Sequence, residues 1–377
     1  MRAAKKSELD IDYTYWGPRL ARNVLRNSLK VKSGETLTME VWTGSLPWID
    51  AFLIEARKIG AKPLVIYESE DAFWKNVEEG RAKDLGVLGA QEWAALRETN
   101  AYVFFWGPSD RTRWHSLPES TEKALLSYEE DFFNLFKEKR IRWCRIELAR
   151  ATERAAKEYG IDHGDWVKEL LEASVLNPET MVRNGRLIGQ KLESGRVVNI
   201  RHPNGTNLEL RLEGRRPYID DGVVDDSDIE AGFGESTIPS GVVMTAVDES
   251  FAQGVIRATR PTTHGPSRGR SGGGEWIFKN GRLQKYSYGR GAKDFEKLYR
   301  GAGPERDLPA ILSIGLNPKI HDSPLLEDQA LGAVNFYIGS NEWLGGSTKG
   351  NFRSWLTLEG ADLSVDGKPL LKAGKIV

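Results

Sequence analysis

"ETLTMEVWTGSLPWIDAFLIEARKIGAKPLVIY", Glu35 to Tyr67, reads as a strand, a helix and a second strand in one run. Leu37, Met39 and Val41 alternate with polar neighbours, the period of a strand. Pro47 stands where a helix begins and Gly60 where one ends. "KPLVIY" is a compact apolar run that predicts a buried strand. Together they predict two parallel strands joined by a right-handed crossover. The pattern extends on both sides. Upstream, "PRLARNVLRNSLKV" places Leu20, Val24, Leu25 and Leu29 on one helical face. Downstream, "QEWAALRETN" and "YEEDFFNLFKEK" read as helices, "AYVFFW" and "IRWCRIE" as strands. An α/β domain built on a parallel sheet is expected over this part of the chain.

The nucleotide fingerprints that such a sheet often carries are missing. No G-x-G-x-x-G follows the first strand, "TGSLPW" has one glycine, and no G-x-x-x-x-G-K-[ST] occurs anywhere. The second half changes character. After two helical stretches, "HGDWVKELLEASV" and "PETMVRNGRLIGQKL", comes "RVVNIRHPNGTNLELRLEGR", two alternating strands about an Asn204-Gly205 turn. Short strands, turns and glycines follow. The expected architecture is an N-terminal α/β domain, residues 1–185, and a C-terminal α+β domain, residues 186–377, which carries the site.

With 377 residues, 28% charged and 40% apolar, the chain has the composition of a globular protein with room for two cores. A formal net charge of −1 argues against nucleic acid or an anionic membrane as a bulk partner. The lone cysteine, Cys144, excludes an internal disulfide and reads as a buried thiol. The N-terminus is basic without an apolar core, so no secretory signal is expected, and no run approaches the roughly 18 apolar residues of a spanning helix. A cytoplasmic location follows as an expectation. Twelve tryptophans is a high count, and such side chains suit interfaces and cavity walls.

Three stretches carry candidate chemistry. "IPSGVVMTAVDES", Ile238 to Ser250, ends a short strand on Asp248 and Glu249. "RPTTHGPSRGRSGGG", residues 260–274, is either a surface loop or a basic flap whose Arg268 and Arg270 bind an anionic substrate. "KIHDSPLLEDQ" offers His321, Asp322, Glu327 and Asp328. His321 and Glu327 with Glu249 make up a conceivable mononuclear site for one divalent ion (zinc, cobalt, manganese or iron). The alternative is a plain turn and no metal.

The order of "NGTNLELRLEGRRPYIDDG", "IPSGVVMTAVDES", "ILSIGLNPK" and "EDQALGAVNFYIGSN" resembles the aminopeptidase T family, the M29 metallopeptidases. The likeness extends upstream to "LKVKSGETLTMEVW" and "GAKPLVIY", and downstream to "LSVDGKPLL". It implies an α/β domain followed by a metal-binding domain, a homodimer, and removal of N-terminal amino acids from peptides by two divalent ions. Glu249 matches that family's first ligand glutamate. The second glutamate position holds Ile311, and the histidine position holds Asn335, which would then contact substrate. The catalytic tyrosine position holds Glu342, and no histidine or aspartate occurs between Asn351 and Glu359, where a His-x-Asp pair is expected. Glu249 and Glu342 facing each other in a dry site would form an acid–base pair. Two other outcomes remain open: the fold serves other chemistry on a small anionic molecule, as in the similar 2,5-dihydroxypyridine dioxygenases, or it serves as a non-catalytic binding homologue.

Overall fold

The computed structural model describes residues 11–263, 270–289, 292–321, 323–324 and 326–377. The chain is of the mixed α/β class and divides into two compact units. Where the sequence suggests one boundary at 185/186, the main crossing falls after Leu176, and Val224–Pro239 returns to the first unit.

The first unit is built on a five-stranded sheet in the order Lys62–Glu68, Thr36–Trp42, Ala101–Phe105, Arg142–Ile146, Glu235–Ile238. Every pairing in it is parallel. Leu37, Met39 and Val41 are fully buried, as their alternation predicts. The helix Leu46–Ile59 carries Pro47 in its first turn and stops at Gly60, whose φ of 88° a Cβ would strain. Leu20, Val24, Leu25 and Leu29 are buried along Tyr13–Arg22 and the wider π-turn Asn23–Ser28. One expectation is corrected. Lys62–Glu68 lies at the sheet edge with a single neighbour, so Leu64 and Tyr67 are about half exposed rather than buried.

Among the described residues the second unit holds a two-stranded pair, Thr262–Thr263 with Arg270–Ser271, and two large antiparallel sheets. One has the order Arg353–Leu358, Val334–Gly339, Pro309–Gly315, Val242–Ala246, Tyr218–Asp220. The other runs from Arg282–Tyr288 through Gly274–Lys279, Ala252–Arg257, Thr206–Arg211, Val197–His202, Asp362–Val365 and Lys368–Lys372 to Lys375–Ile376. The expected hairpin about Asn204-Gly205 joins two of its strands, with Gly205 at φ 94°. Both sheets feed one apolar core, in which Trp276, Phe278 and Phe336 meet edge to face. The helix Glu179–Ser194 adds Met181, Ile188 and Leu192 to it. Gly185 and Gly189 let that helix close on Ile219, since a Cβ at either would lie 2.8 or 2.7 Å from its side chain.

Phe336→Ala should lower stability by about 3–5 kcal/mol, because its ring is fully enclosed by both sheets. Leu64→Ala, on the exposed edge, should cost under about 1 kcal/mol. Urea unfolding midpoints of the two variants check the contrast.

Candidate functional site

The Val242–Ala246 strand runs out at Val247, and the next two carboxylates have different fates. Asp248 folds back on its own turn, accepting from the Ser250 N–H at 2.8 Å and the Ser250 hydroxyl at 2.6 Å. Glu249 is gripped. Arg215 Nη1 donates to its Oε1 at 2.8 Å and Nη2 to its Oε2 at 2.9 Å, a two-pronged ion pair. Asn341 Nδ2 and the Ser347 N–H each donate to Oε1 at 2.7 Å. The donors are themselves held: Arg215 Nη1 also bonds the Val247 carbonyl, and Asn341 bonds the Ala310 carbonyl and the Thr348 N–H. The Glu249 and Arg215 side chains are only 11% and 15% exposed. Burial by itself would raise the Glu249 pKa; the Arg215, Ser347 and Asn341 donors outweigh it and bring it down to about 2. At neutral pH this group is a fixed anion that shares the Arg215 guanidinium with Glu213, and it neither gives nor takes a proton.

Beside it, one face of the five-stranded antiparallel sheet turns away from the core. Register sets Thr357, Asn335, Ser313 and Met244 in one row, and Trp355, Tyr337, Ile311 and Ala246 in the next. The intervening Leu356, Phe336 and Leu312 point into the core, as strand alternation requires. Ser313, Asn335 and Thr357 are fully buried, and the Asn335 Oδ1 and Thr357 Oγ1 make no hydrogen bond within the described protein. Asn335 Nδ2 makes one long bond, 3.4 Å, to the Asp328 carbonyl. Tyr337 stacks on Trp355 at 5.5 Å and donates its hydroxyl to Asp328 Oδ2 at 3.0 Å. Desolvation raises the Asp328 pKa to about 6, with the Tyr337 bond acting against it.

The residues singled out from sequence are not gathered into one centre. Glu327 is buried at the head of the Glu327–Gln329 turn, and His321 is exposed. Among the described residues no group of three or more His, Cys, Asp or Glu side chains comes together that could hold a metal ion. Glu342 opens the turn Glu342–Leu344 and is exposed, while Glu249 is buried among the donors of Arg215, Asn341 and Ser347. Arg270 begins the two-residue strand Arg270–Ser271; Arg268 lies outside the described residues. Sequence reasoning missed Arg215, Asn341 and Ser347. The only trace was the doubled arginine in "EGRRP", immediately after a strand.

The donor set does not suit two divalent ions. Metals about 3.5–4 Å apart need several anionic ligands to offset their repulsion. Here Ile311 is buried and apolar, Asn335 and Thr357 are neutral, and the one anion already holds a guanidinium.

No family model and no curated protein matches the chain. Solved structures do. AmpT from Thermus thermophilus aligns over 97% of this chain and 100% of its own at TM-score 0.69 and 17% identity. The 2,5-dihydroxypyridine dioxygenase from Pseudomonas putida KT2440 aligns over 97% and 98% at TM-score 0.63 and 15% identity. At such identities the likeness is one of fold, and the expected aminopeptidase T-type fold is present.

The two carboxyls should leave opposite marks on stability. The Glu249 pKa lies below its unfolded value of 4.5, so its contribution is complete above about pH 5 and is lost as pH falls toward 2. Asp328 lies above its unfolded value of 3.8, so its burial costs stability as pH rises from about 4 to 6. Urea midpoints across pH 2–7 should show Glu249→Gln converging on the parent at low pH. Asp328→Asn should gain on the parent between about pH 4 and 6.

Proposed function

We propose that this chain is a metal-independent relative of the aminopeptidase T fold, one that binds a small polar molecule on the Asn335–Thr357 face instead of hydrolysing peptides with two metal ions. The observation that carries this reading is the Arg215–Glu249 ion pair. A cation at that carboxylate is required whenever it leaves water, and here the protein supplies one covalently in its own chain. The neighbouring row supports binding: Asn335 and Thr357 present buried oxygens with hydrogen-bonding capacity unused by the protein. Those oxygens, with the Tyr337–Trp355 stack beside them, suit a small molecule with a donor group and a planar portion.

A second reading rests on Asp328. A carboxyl whose pKa is about 6, next to a tyrosine hydroxyl and a buried amide, can hold a proton near neutral pH and deliver it to a bound molecule. That would make the same face a metal-free acid–base site. A reaction here should fall away as pH rises through about 6, and Asp328→Asn should abolish it without disturbing binding.

Elemental analysis separates both readings from the peptidase. After exposure to zinc, cobalt, manganese and ferrous iron and then desalting, the protein should retain less than one equivalent of metal and release no amino acid from leucinamide. Two retained equivalents together with hydrolysis would overturn the proposal.

A further inference from the structure

The parallel sheet of the first unit ends on Lys62–Glu68, and that end is open. The Lys62 N–H donates to the Glu35 carbonyl at 2.8 Å, and register then runs from Lys62 beside Thr36 to Glu68 beside Trp42. This fixes the direction of every peptide group in the strand. Those of Lys62, Leu64, Ile66 and Glu68 turn inward to Thr36–Trp42, and those of Pro63, Val65 and Tyr67 turn outward. No described residue bonds to the outward groups. Pro63 has no N–H, so the edge offers the donors of Val65 and Tyr67 and the carbonyls of all three.

The side chains of this edge are unmatched as well. Leu64 and Tyr67 are about half exposed, on opposite faces of the sheet. Glu68 shares the face of Leu64 and Ile66 and is half-buried there. Burial, and then the charge of Glu92, raise its pKa. Glu40, on the same face, is pushed up to about 7, chiefly by burial, with Glu68 and Glu92 adding to it against the Tyr102 hydroxyl. No lysine or arginine is among the groups that shift either carboxyl. Among the described residues neither Glu68 nor Lys62 makes an ion pair. The strand's own Lys62 stands at its other end, roughly 20 Å away.

The strand reads K-P-L-V-I-Y-E, and reversed about Val65 it complements itself. Antiparallel pairing of two copies sets Lys62 against Glu68, Pro63 against Tyr67, Leu64 against Ile66 and Val65 against its own counterpart. Each Val65 N–H then meets the other Val65 carbonyl, and each Tyr67 N–H meets a Pro63 carbonyl. The donor that proline lacks leaves only the Tyr67 carbonyls to water. Leu64 covers Ile66, the Tyr67 ring lies on the Pro63 ring, and each Lys62 reaches the acid that has no cation. We propose that this edge docks a second copy of the chain, by twofold antiparallel pairing of Lys62–Glu68 about Val65 that runs one sheet through both copies. Proline and lysine on an edge ordinarily deter pairing. Here they deter the wrong pairing, since a parallel alignment brings the two lysine ends together and the two glutamate ends together. A twofold pairing also consumes the edge and closes at two copies. The surface lies within the first unit, so it stands or falls independently of the reading given to the Asn335–Thr357 face.

The test uses the full chain, with sedimentation over a range of concentrations and backbone hydrogen exchange at both ends of that range. The parent should associate, and the Val65 and Tyr67 amides should gain protection as it does. Those of Leu64 and Ile66, bonded inside the sheet, should be protected throughout. Lys62→Glu and Glu68→Lys should each weaken association about tenfold or more, because each change acts at both ends of the twofold. The double exchange Lys62→Glu/Glu68→Lys should restore most of it, which damage to the fold could not do. The proposal fails if the Val65 and Tyr67 amides exchange alike in dilute and concentrated parent, whether the chain is then a monomer or associates through another face. It fails equally if the single exchanges associate as tightly as the parent, or if the double exchange restores nothing.

Discussion

A carboxylate that leaves water must find its opposite charge close by, and Glu249 finds it in Arg215. The pair does more than cancel charge. Arg215 follows the Thr206–Arg211 strand of the larger sheet, Glu249 follows the Val242–Ala246 strand of the smaller one, and Asn341 and Ser347 follow Val334–Gly339. Three connections from two sheets therefore end on one carboxylate. Each donor is fixed by a second bond of its own or by the backbone, so the arrangement is rigid in the sense that moving one member strands several polar groups. The polar face of the smaller sheet is built beside this knot.

Much of the scaffold could be read from sequence, and the parts that could are local. Leu37, Met39 and Val41 announce a strand because alternation is a property of adjacent residues, and Asn204-Gly205 announces a turn because φ > 0 is a property of one residue. Glu235–Ile238 was invisible as part of the first sheet. It has four residues, and its partner Arg142–Ile146 lies some ninety positions earlier, so no local pattern encodes the pairing. The exposed Lys62–Glu68 strand shows the same limit: an apolar run tells of a strand, not of how many neighbours it will have.

The site divides along the same line. Glu249 could be placed by the order of motifs, but its state could not, because that state is set by a guanidinium 34 positions upstream and an amide 92 positions downstream. The same carboxylate would be a metal ligand among anions and is an inert anion beside an arginine. Asn335 and Thr357 were legible only as replacements. Their shared row, and the oxygens they leave unbonded, come from strand register. The two units also handle charge in different ways: in one, Arg215 is shared between Glu249 and Glu213; in the other, three guanidinium groups gather about a single indole and Glu147 pairs with two of them.

The return of Glu235–Ile238 to the first sheet has a consequence for how the molecule is made. During synthesis the strand Arg142–Ile146 leaves the ribosome long before its outer neighbour exists, and until then it presents a row of unsatisfied peptide groups. The early half is therefore not a self-sufficient module. A piece cut after residue 185 would end its sheet on Arg142–Ile146, whose outer backbone groups lack the strand they pair with in the full chain. The first sheet is completed only by a four-residue strand from late in the chain, so the early half does not carry the whole of its own sheet.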